Sequence, residues 1–494
     1  MGKNITKKNG NHIKNKRPNK NKFNNQICDN NMTFEECELT ILRQAVDETE
    51  NIQGQKKVNS KDIQEMLEIV ENFIIKKKLI CYGGTAINNI LPKYAQFYKR
   101  DIEIPDYDFF SSNALEDAKE LADIYEKSGY SEVEAKSGVH YGTFKVFVNF
   151  IPIADITHLH KDIYESISKD SIQIAGIKYA PPDFLRMSMY LELSRPAGDV
   201  SRWEKVMKRL AIMNKYHPMK LNKDCNTIDF SKKIDITMQE EEKLHLTLRD
   251  IFIDNGSVFF GGYSTHLYSK HMNESKQKLV NKIPDFDIIS EDIEKCALIV
   301  KEHLQRDKYK NIKTINHDAI GEIIPKHIEI KVGKYSMAFI YEPIACHSYN
   351  EISVDSKTVK VATIDTILAF YLSFLYANMP HYNKDRLLCI AMFLFQTEQQ
   401  NRLAQKGILK RFSINCYGKQ TTLEDIRSIK SDKFKEFKDS GISKDSKEYQ
   451  MWFFKYNPTD KNEKPIVVKK KTNKTRKNKK ESPEQHPILA LIPK

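Results

Sequence analysis

Apolar positions along this chain follow two periods. Ile63, Met66, Leu67, Val70, Phe73 and Ile74 recur at the spacing of one helical face, and Ser60 stands where it can cap the helix. A short apolar run at 79–82 then enters Gly83-Gly84, which predicts a strand turning into a helix of about two turns that ends at Pro92. A strand through Asp106, Tyr107 and Asp108 follows, then an amphipathic helix over 114–128, strands at 142–149 and 150–156, and longer helices beyond. The most apolar stretch, 364–378, is broken by Asp365 and gives about ten residues of apolar helix. A bilayer requires roughly 20, so this is a core helix and no membrane association is expected.

The pattern repeats. ICYGGTAINNIL (80–91) is echoed by VFFGGYSTHLYS (258–269), EIPDYDFFS (103–111) by KIPDFDIIS (282–290), and FIPIADITH (150–158) by FIYEPIACH (339–347). GIKYAPPDFLRMSMYLELS (176–194) aligns without a gap on TVKVATIDTILAFYLSFLY (358–376). Self-similarity on this scale means duplication. The expected class is α/β (α+β): two tandem domains from an internal duplication, the second degenerate, with helical N-terminal and linking regions. The expected layout is a basic tail at 1–30, a helical region at 31–78, a first domain at 79–180 and a helical link at 181–250. A second domain at 251–400, an extension at 401–460 and a basic tail at 461–494 complete it.

Charge sharpens this layout. Of the net +13, residues 1–26 carry +8 and residues 461–494 carry +8, leaving the body at −3. The tails, rich in Lys and Asn, read as disordered arms that hold a nucleic-acid backbone by counterion release, or as solubilising or localising segments. The polar N-terminus is unlike a secretory signal, so an intracellular protein is expected. Eight scattered cysteines show no Cys-x-x-Cys pair, and buried reduced thiols are expected in place of a zinc site or a disulfide framework.

The candidate chemistry lies in the first copy. Glycines at a strand-to-helix turn let a ligand approach the backbone, and the helix N-terminus behind Gly83, Gly84 and Thr85 suits phosphate. Asp106 and Asp108, two apart on a strand, point to one face while Tyr107 and Phe109 point into the core. Asp155, read as ending an apolar strand at 150–154 beside them, is a third carboxylate whose burial calls for a cation or a partner. Three such groups can hold two Mg²⁺ ions, or Mn²⁺, for in-line displacement at phosphorus. Each part alone has a plainer reading as a turn, a solvated strand edge or a paired acid; order and spacing together are specific.

Gly83, Gly84, Thr85, Asp106, Asp108 and Asp155 together resemble the signature of nucleotidyltransferases of the DNA polymerase β type. The interval of 22 residues from Gly84 to Asp106 is about twice the usual one. With YGGTAIN, IPDYDFFS, SRWEKVMKRL (201–210) and the second unit, residues 60–400 are similar to poly(A) polymerase catalytic subunits of poxviruses and giant DNA viruses. The resemblance implies transfer of AMP from ATP to an RNA 3′ end, with Asp106, Asp108 and Asp155 as catalytic metal ligands and Gly83, Gly84 and Thr85 seating the triphosphate. It implies a homodimer or a processivity subunit as partner. It also implies a location in the host cytoplasm, at viral factories, or in the virion.

The second copy keeps Gly261, Gly262, Asp285 and Asp287, but has Tyr263 for Thr85, Leu368 for Arg186, Phe370 for Ser188 and Ala377 for Arg195. Cys346 stands as the expected counterpart of Asp155 and is a poor Mg²⁺ ligand. Copy one is therefore expected to catalyse and copy two to pack or bind RNA or a subunit. Arg186, Ser188 and Arg195 are candidate nucleotide or RNA contacts, or else residues of an ordinary helix surface. Arg202, Lys205 and Lys208 are candidate triphosphate contacts, or else solvated charges beside a core face at Trp203, Val206, Met207 and Leu210. Alternatives of the same chemistry are an oligoadenylate or cyclic-dinucleotide synthase or another RNA-tailing enzyme; an alternative of another class is a non-catalytic RNA-binding scaffold.

Overall fold

The computed structural model describes residues 27–29, 31–99, 102–221, 223–230, 237–280 and 285–461. The basic runs of both tails lie outside the described residues. Helix α1 (Phe34–Val58) is capped by Thr33 and Glu36, and α2 (Lys61–Lys77) by Ser60, whose side chain accepts from the Ile63 amide. The apolar stripe of α2, except the half-covered Leu67, is buried. The first unit continues through β1 (Ile80–Cys81), α3 (Gly83–Ile90), β2 (Tyr107–Ser111), α4 (Ala114–Lys127), β3 (Val133–Ser137), β4 (Thr143–Val148) and β5 (Ile151–His158). Then come α5 (Lys161–Lys169), β6 (Ile172–Ile174), β7 (Ile177–Tyr179), α6 (Pro182–Leu193) and α7 (Trp203–Tyr216).

The second unit repeats this order with one helix added before its Asp-x-Asp strand and no counterpart of α5 among the described residues. It runs through α8 (Met238–Asp254), β8 (Val258–Phe259), α9 (Gly262–Ser269), α10 (Glu274–Val280), β9 (Phe286–Ile289) and α11 (Ile293–Arg306). It continues with β10 (Ile312–His317), β11 (His327–Val332), β12 (Tyr335–Tyr341), β13 (His347–Val354), β14 (Lys357–Ala362), α12 (Ile364–Phe374) and α13 (Lys384–Gln400). The C-terminal part adds β15 (Cys416–Tyr417), α14 (Leu423–Asp439), α15 (Lys447–Phe453) and β16 (Lys455–Tyr456).

The two sheets have one topology. Sheet one is ordered β16-β3-β4-β5-β2-β1-β7-β6 and sheet two β10-β11-β12-β9-β8-β14-β13-β15. Strand for strand, β1 matches β8, β2 matches β9, β5 matches β12 and β7 matches β14. Each match keeps its sense: β1 runs antiparallel to β2 and parallel to β7, as β8 does to β9 and β14. The register confirms the gapless alignment of 176–194 on 358–376, because Ile80 lies opposite Lys178 and Val258 opposite Lys360. The α/β class with two tandem units is thus borne out. Equivalent helices α6 and α12 pack on each other across the join, with Phe184 edge-on to Tyr376 at 5.3 Å. The chain then returns to the first unit, where β16 pairs with β3 and extends sheet one.

Two expectations are corrected. Asp155 does not end its strand: Asn149 and Phe150, at φ 49° and 65°, form the two-residue turn between β4 and β5, and β5 continues to His158. The cysteines are not all reduced thiols, since Cys28–Cys37, Cys225–Cys389 and Cys346–Cys416 are disulfides and Cys81 and Cys296 are buried and free. Sequence separations of 164 and 70 residues for two of the pairs left no local pattern to read.

Candidate active site

Sheet one places the site. Parallel pairing of β2 with β5 sets Asp108 opposite Asp155, and antiparallel pairing of β4 with β5 sets Lys145 opposite Asp155. Side chains directly opposite share a face, so three charged groups from three strands stand side by side. Asp106 precedes β2 by one residue, and Tyr107 and Phe109 are buried on the opposite face as the alternation predicts.

The electrostatics follow from the crowding. Burial first, and then the negative charges of Asp106 and Asp155, push the Asp108 carboxyl up to about 7. Asp106 is raised for the same reasons, by burial and by Asp155. Lys145 opposes both shifts and forms an ion pair with Asp155. Carboxylates that raise each other in this way are short of positive charge.

The glycine turn closes the other side. Gly83 has φ 70°, and a Cβ there would stand 2.6 Å from Asp108 Oδ2, so only glycine lets the turn reach the carboxylate. A Cβ on Gly84 would strike the Tyr98 hydroxyl and come within 3.0 Å of the Arg209 guanidinium. Thr85 is buried and its hydroxyl donates to the Asp106 carbonyl at 2.7 Å. Its place is to hold the aspartate loop against α3.

The other expected contacts are arranged differently. Arg186 is fully buried, donates to Asn214 Oδ1 at 2.7 Å and binds Asp183 and the His217 carbonyl, so it ties α6 to the end of α7 instead of facing a ligand. Ser188 is exposed and donates back to the Phe184 carbonyl at 3.2 Å. Arg195 sits at the join beside His347, which burial and that guanidinium together hold far below the usual histidine range, near 3. Arg202 pairs with Glu192 at 3.2 Å, Lys208 pairs with Glu204 at 2.6 Å, and Lys205 is exposed.

The cation of SRWEKVMKRL that reaches the site is Arg209, which donates to Tyr98 Oη at 2.7 Å and lies 5.0 Å from the Phe97 ring centroid. Lys205, four residues earlier, falls on the same stripe of α7, and Arg202 is the residue just before the helix. Arg209 and Lys145 were both missed. Lys145 was legible as the one charged residue in TFKVFV, an alternating strand next to the strand of Asp155.

The counterpart cleft in unit two is filled. Opposite Asp287 stands Phe339, and opposite Phe339 stands Glu329. The structural counterpart of Asp155 is therefore Phe339 and not Cys346, and that of Lys145 is Glu329. His381 stacks on Phe339 at 4.6 Å. Arg386 from α13 reaches Asp285 at 3.3 Å and so supplies positive charge from the chain itself.

Among the described residues no three His, Cys, Asp or Glu side chains stand as a ready metal centre. The residues of unit one nevertheless fit a divalent cation by their chemistry: convergent carboxylates with raised affinity for positive charge, beside a turn without side chains.

Residues 68–199 match the family model of the poly(A) polymerase catalytic subunit. A protein of African swine fever virus, provisionally named a poly(A) polymerase catalytic subunit, is 34% identical over 174 residues, 34% of this chain. One of Acanthamoeba polyphaga mimivirus with the same provisional name is 31% identical over 227 residues, 43% of this chain. Each match takes in 36% of the relative's own length. The crystal structure of the Megavirus polyadenylate synthase has the same fold, with a TM-score of 0.72 over 90% of both chains at 20% identity. The resemblance read from the motifs is borne out.

Proposed function

We propose, from the likeness of residues 68–199 to poly(A) polymerase catalytic subunits, that this chain is a template-independent poly(A) polymerase whose first unit catalyses and whose second unit packs. The observation that carries the reading is the asymmetry of the two clefts. One sets Asp106, Asp108 and Asp155 beside a bare glycine turn; the other answers Asp285 with Arg386 and puts Phe339 in the place of Asp155. In the reaction the RNA 3′ oxygen attacks the α-phosphorus of ATP, the bond to the β-phosphate oxygen breaks, and pyrophosphate leaves.

Asp106, Asp108 and Asp155 would hold two Mg²⁺ or Mn²⁺ ions, which when bound activate the attacking hydroxyl and stabilise the charge of the displacement. Gly83 and Gly84 leave the backbone open to the triphosphate at the start of α3. Arg209, and behind it Lys205 and Arg202, neutralise the phosphates. Lys145 holds Asp155 in place. ATP and an RNA 3′ end are the substrates, a partner subunit or a second copy the expected partner, and the host cytoplasm the expected location.

Alanine substitutions test the assignment. Asp106→Ala or Asp155→Ala is expected to abolish incorporation of labelled AMP into an RNA primer, by at least about 1,000-fold, while Asp287→Ala keeps the activity. Loss in the Asp287 variant alone would reverse the roles of the units.

A further inference from the structure

Lys145 is carried to the carboxylates by the sheet itself. It stands directly across from Asp155 in the register of β4 and β5 and forms an ion pair with it, and among the described residues its ammonium has no second partner. Phe144 and Val146 are buried on the other face, so β4 cannot slip by one residue without turning Lys145 out of the cleft. Yet the pair is open, with the lysine side chain 36% exposed and that of the aspartate 18%. A lysine so placed is a hydrated point charge on a flexible stem, and its half-exposed pair is weak enough to exchange with water or with another cation.

Unit two answers its acid with a different kind of cation. Arg386 donates to both oxygens of Asp285, at 3.3 and 3.4 Å, from the wall of α13. The place of Lys145 is taken there by Glu329, which binds His317 at 3.1 Å and Ser336. A guanidinium forked on both oxygens is a lasting tie, whereas an ammonium on one oxygen is exchangeable. Charge sets a limit as well. Three carboxylates and the Lys145 ammonium leave two negative charges, even before Arg209 is counted. One divalent cation balances them, and a second must take the place of the ammonium on Asp155 or be repelled by it.

We propose that Lys145 is a displaceable counter-ion, whose ammonium occupies the place of the divalent cation that would draw on Asp155 and must leave that carboxylate before the cleft takes its second ion. Lys145 is thus a positioning residue in the empty cleft and a competitor during loading. Once displaced, the ammonium stays on the carboxylate face of the sheet, where the negative charge left for it to answer is that of the triphosphate. The proposal rests on the polymerase reading for the identity of the ions and of the triphosphate.

Two measurements on the full chain, without nucleotide so that turnover plays no part, test it. In the first, Mn²⁺ is titrated into the unaltered protein, Lys145→Met and Lys145→Arg, and the free ion is followed by electron paramagnetic resonance. Lys145→Met is expected to bind Mn²⁺ about tenfold more tightly than the unaltered protein. Lys145→Arg is expected to bind it several-fold more weakly, because a guanidinium grips both carboxylate oxygens. A lysine that merely positioned Asp155 would give the opposite order, with binding weakened by methionine and kept by arginine. That order, or equal affinities in all three proteins, would overturn the proposal.

The second measurement needs no variant, so no folding defect can confound it. The unaltered protein is acetylated with N-hydroxysuccinimide acetate, with and without Mn²⁺, and each lysine is followed by peptide mass spectrometry. Labelling of Lys145 is expected to rise by about threefold or more with Mn²⁺, while that of Lys61, whose side chain is 89% exposed, stays constant. No change at Lys145, or its protection by Mn²⁺, would overturn the proposal. Exchange in a chain that adds no AMP would support the proposal and remove the polymerase reading; AMP addition without exchange would do the reverse.

Discussion

Asp108 has the least comfortable position of the three carboxylates. Its carboxyl titrates near 7 in the metal-free fold against 3.8 for an ordinary aspartate, so the folded state binds the proton more tightly than the unfolded chain. A raised carboxylate favours the fold fully below about 4, and that contribution is lost as pH rises through about 7. The loss at pH 8 is on the order of 2–4 kcal/mol. Asp108→Asn is therefore expected to melt several degrees above the unaltered protein at pH 8 without divalent cation, with the gap closing toward pH 4. Differential scanning calorimetry at both pH values checks this. A gap that does not change with pH would show that the carboxylate is not crowded as described. Since the asparagine also removes a proposed metal ligand, the same variant is expected to lose incorporation.

At the scale of elements, Phe150 offers a separate test. It is 82% exposed at φ 65° in the turn between β4 and β5, a conformation that favours glycine over an aromatic. Phe150→Gly is expected to stabilise the protein by about 0.5–1 kcal/mol in urea unfolding without altering activity. Destabilisation would mean that the ring has a partner outside the described residues.

The elements also show what could be read beforehand. The glycine turn and the Asp-x-Asp strand were legible in both copies because backbone conformation and charge constrain them, and the helix capped by Ser60 because its stripe is regular. The likeness of FIPIADITH to FIYEPIACH misled: Pro152, Ile153 and Ala154 lie within β5, whereas Pro343 and Ala345 follow the end of β12. Hydrogen-bond register, which no composition reveals, makes Phe339 the true counterpart of Asp155. Arg186 read as a ligand contact because its charge is absent from copy two, yet Asp183 and Asn214 use it for packing. Lys145 and Arg209 were visible as residues, but their roles depend on which strands and helices adjoin.

At the scale of the molecule, the chain closes on itself. β16 covers the β3 edge, Phe454 packs edge-on to Phe144 at 5.6 Å, and the Tyr456 hydroxyl donates to Asp123. Truncation after residue 446 is expected to lower the melting temperature of the first unit by several degrees, because it reopens a sheet edge and uncovers Phe144. A melting curve unchanged by that truncation would contradict the arrangement. The basic tails act by charge alone on the present reading. Deleting 1–26 and 461–494 is expected to flatten the dependence of RNA affinity on salt, as measured by anisotropy between about 50 and 200 mM salt.

In the proposed division of labour the first unit adds AMP to an RNA 3′ end while the second does not react. Primer extension with labelled ATP, UTP, CTP and GTP, each with and without RNA primer, tests it most directly. The expected result is primer-dependent extension with ATP above the other three nucleotides, abolished by Asp155→Ala. Product formed without primer would instead indicate oligoadenylate or cyclic-dinucleotide synthesis, and no incorporation with either Mg²⁺ or Mn²⁺ would contradict the account altogether.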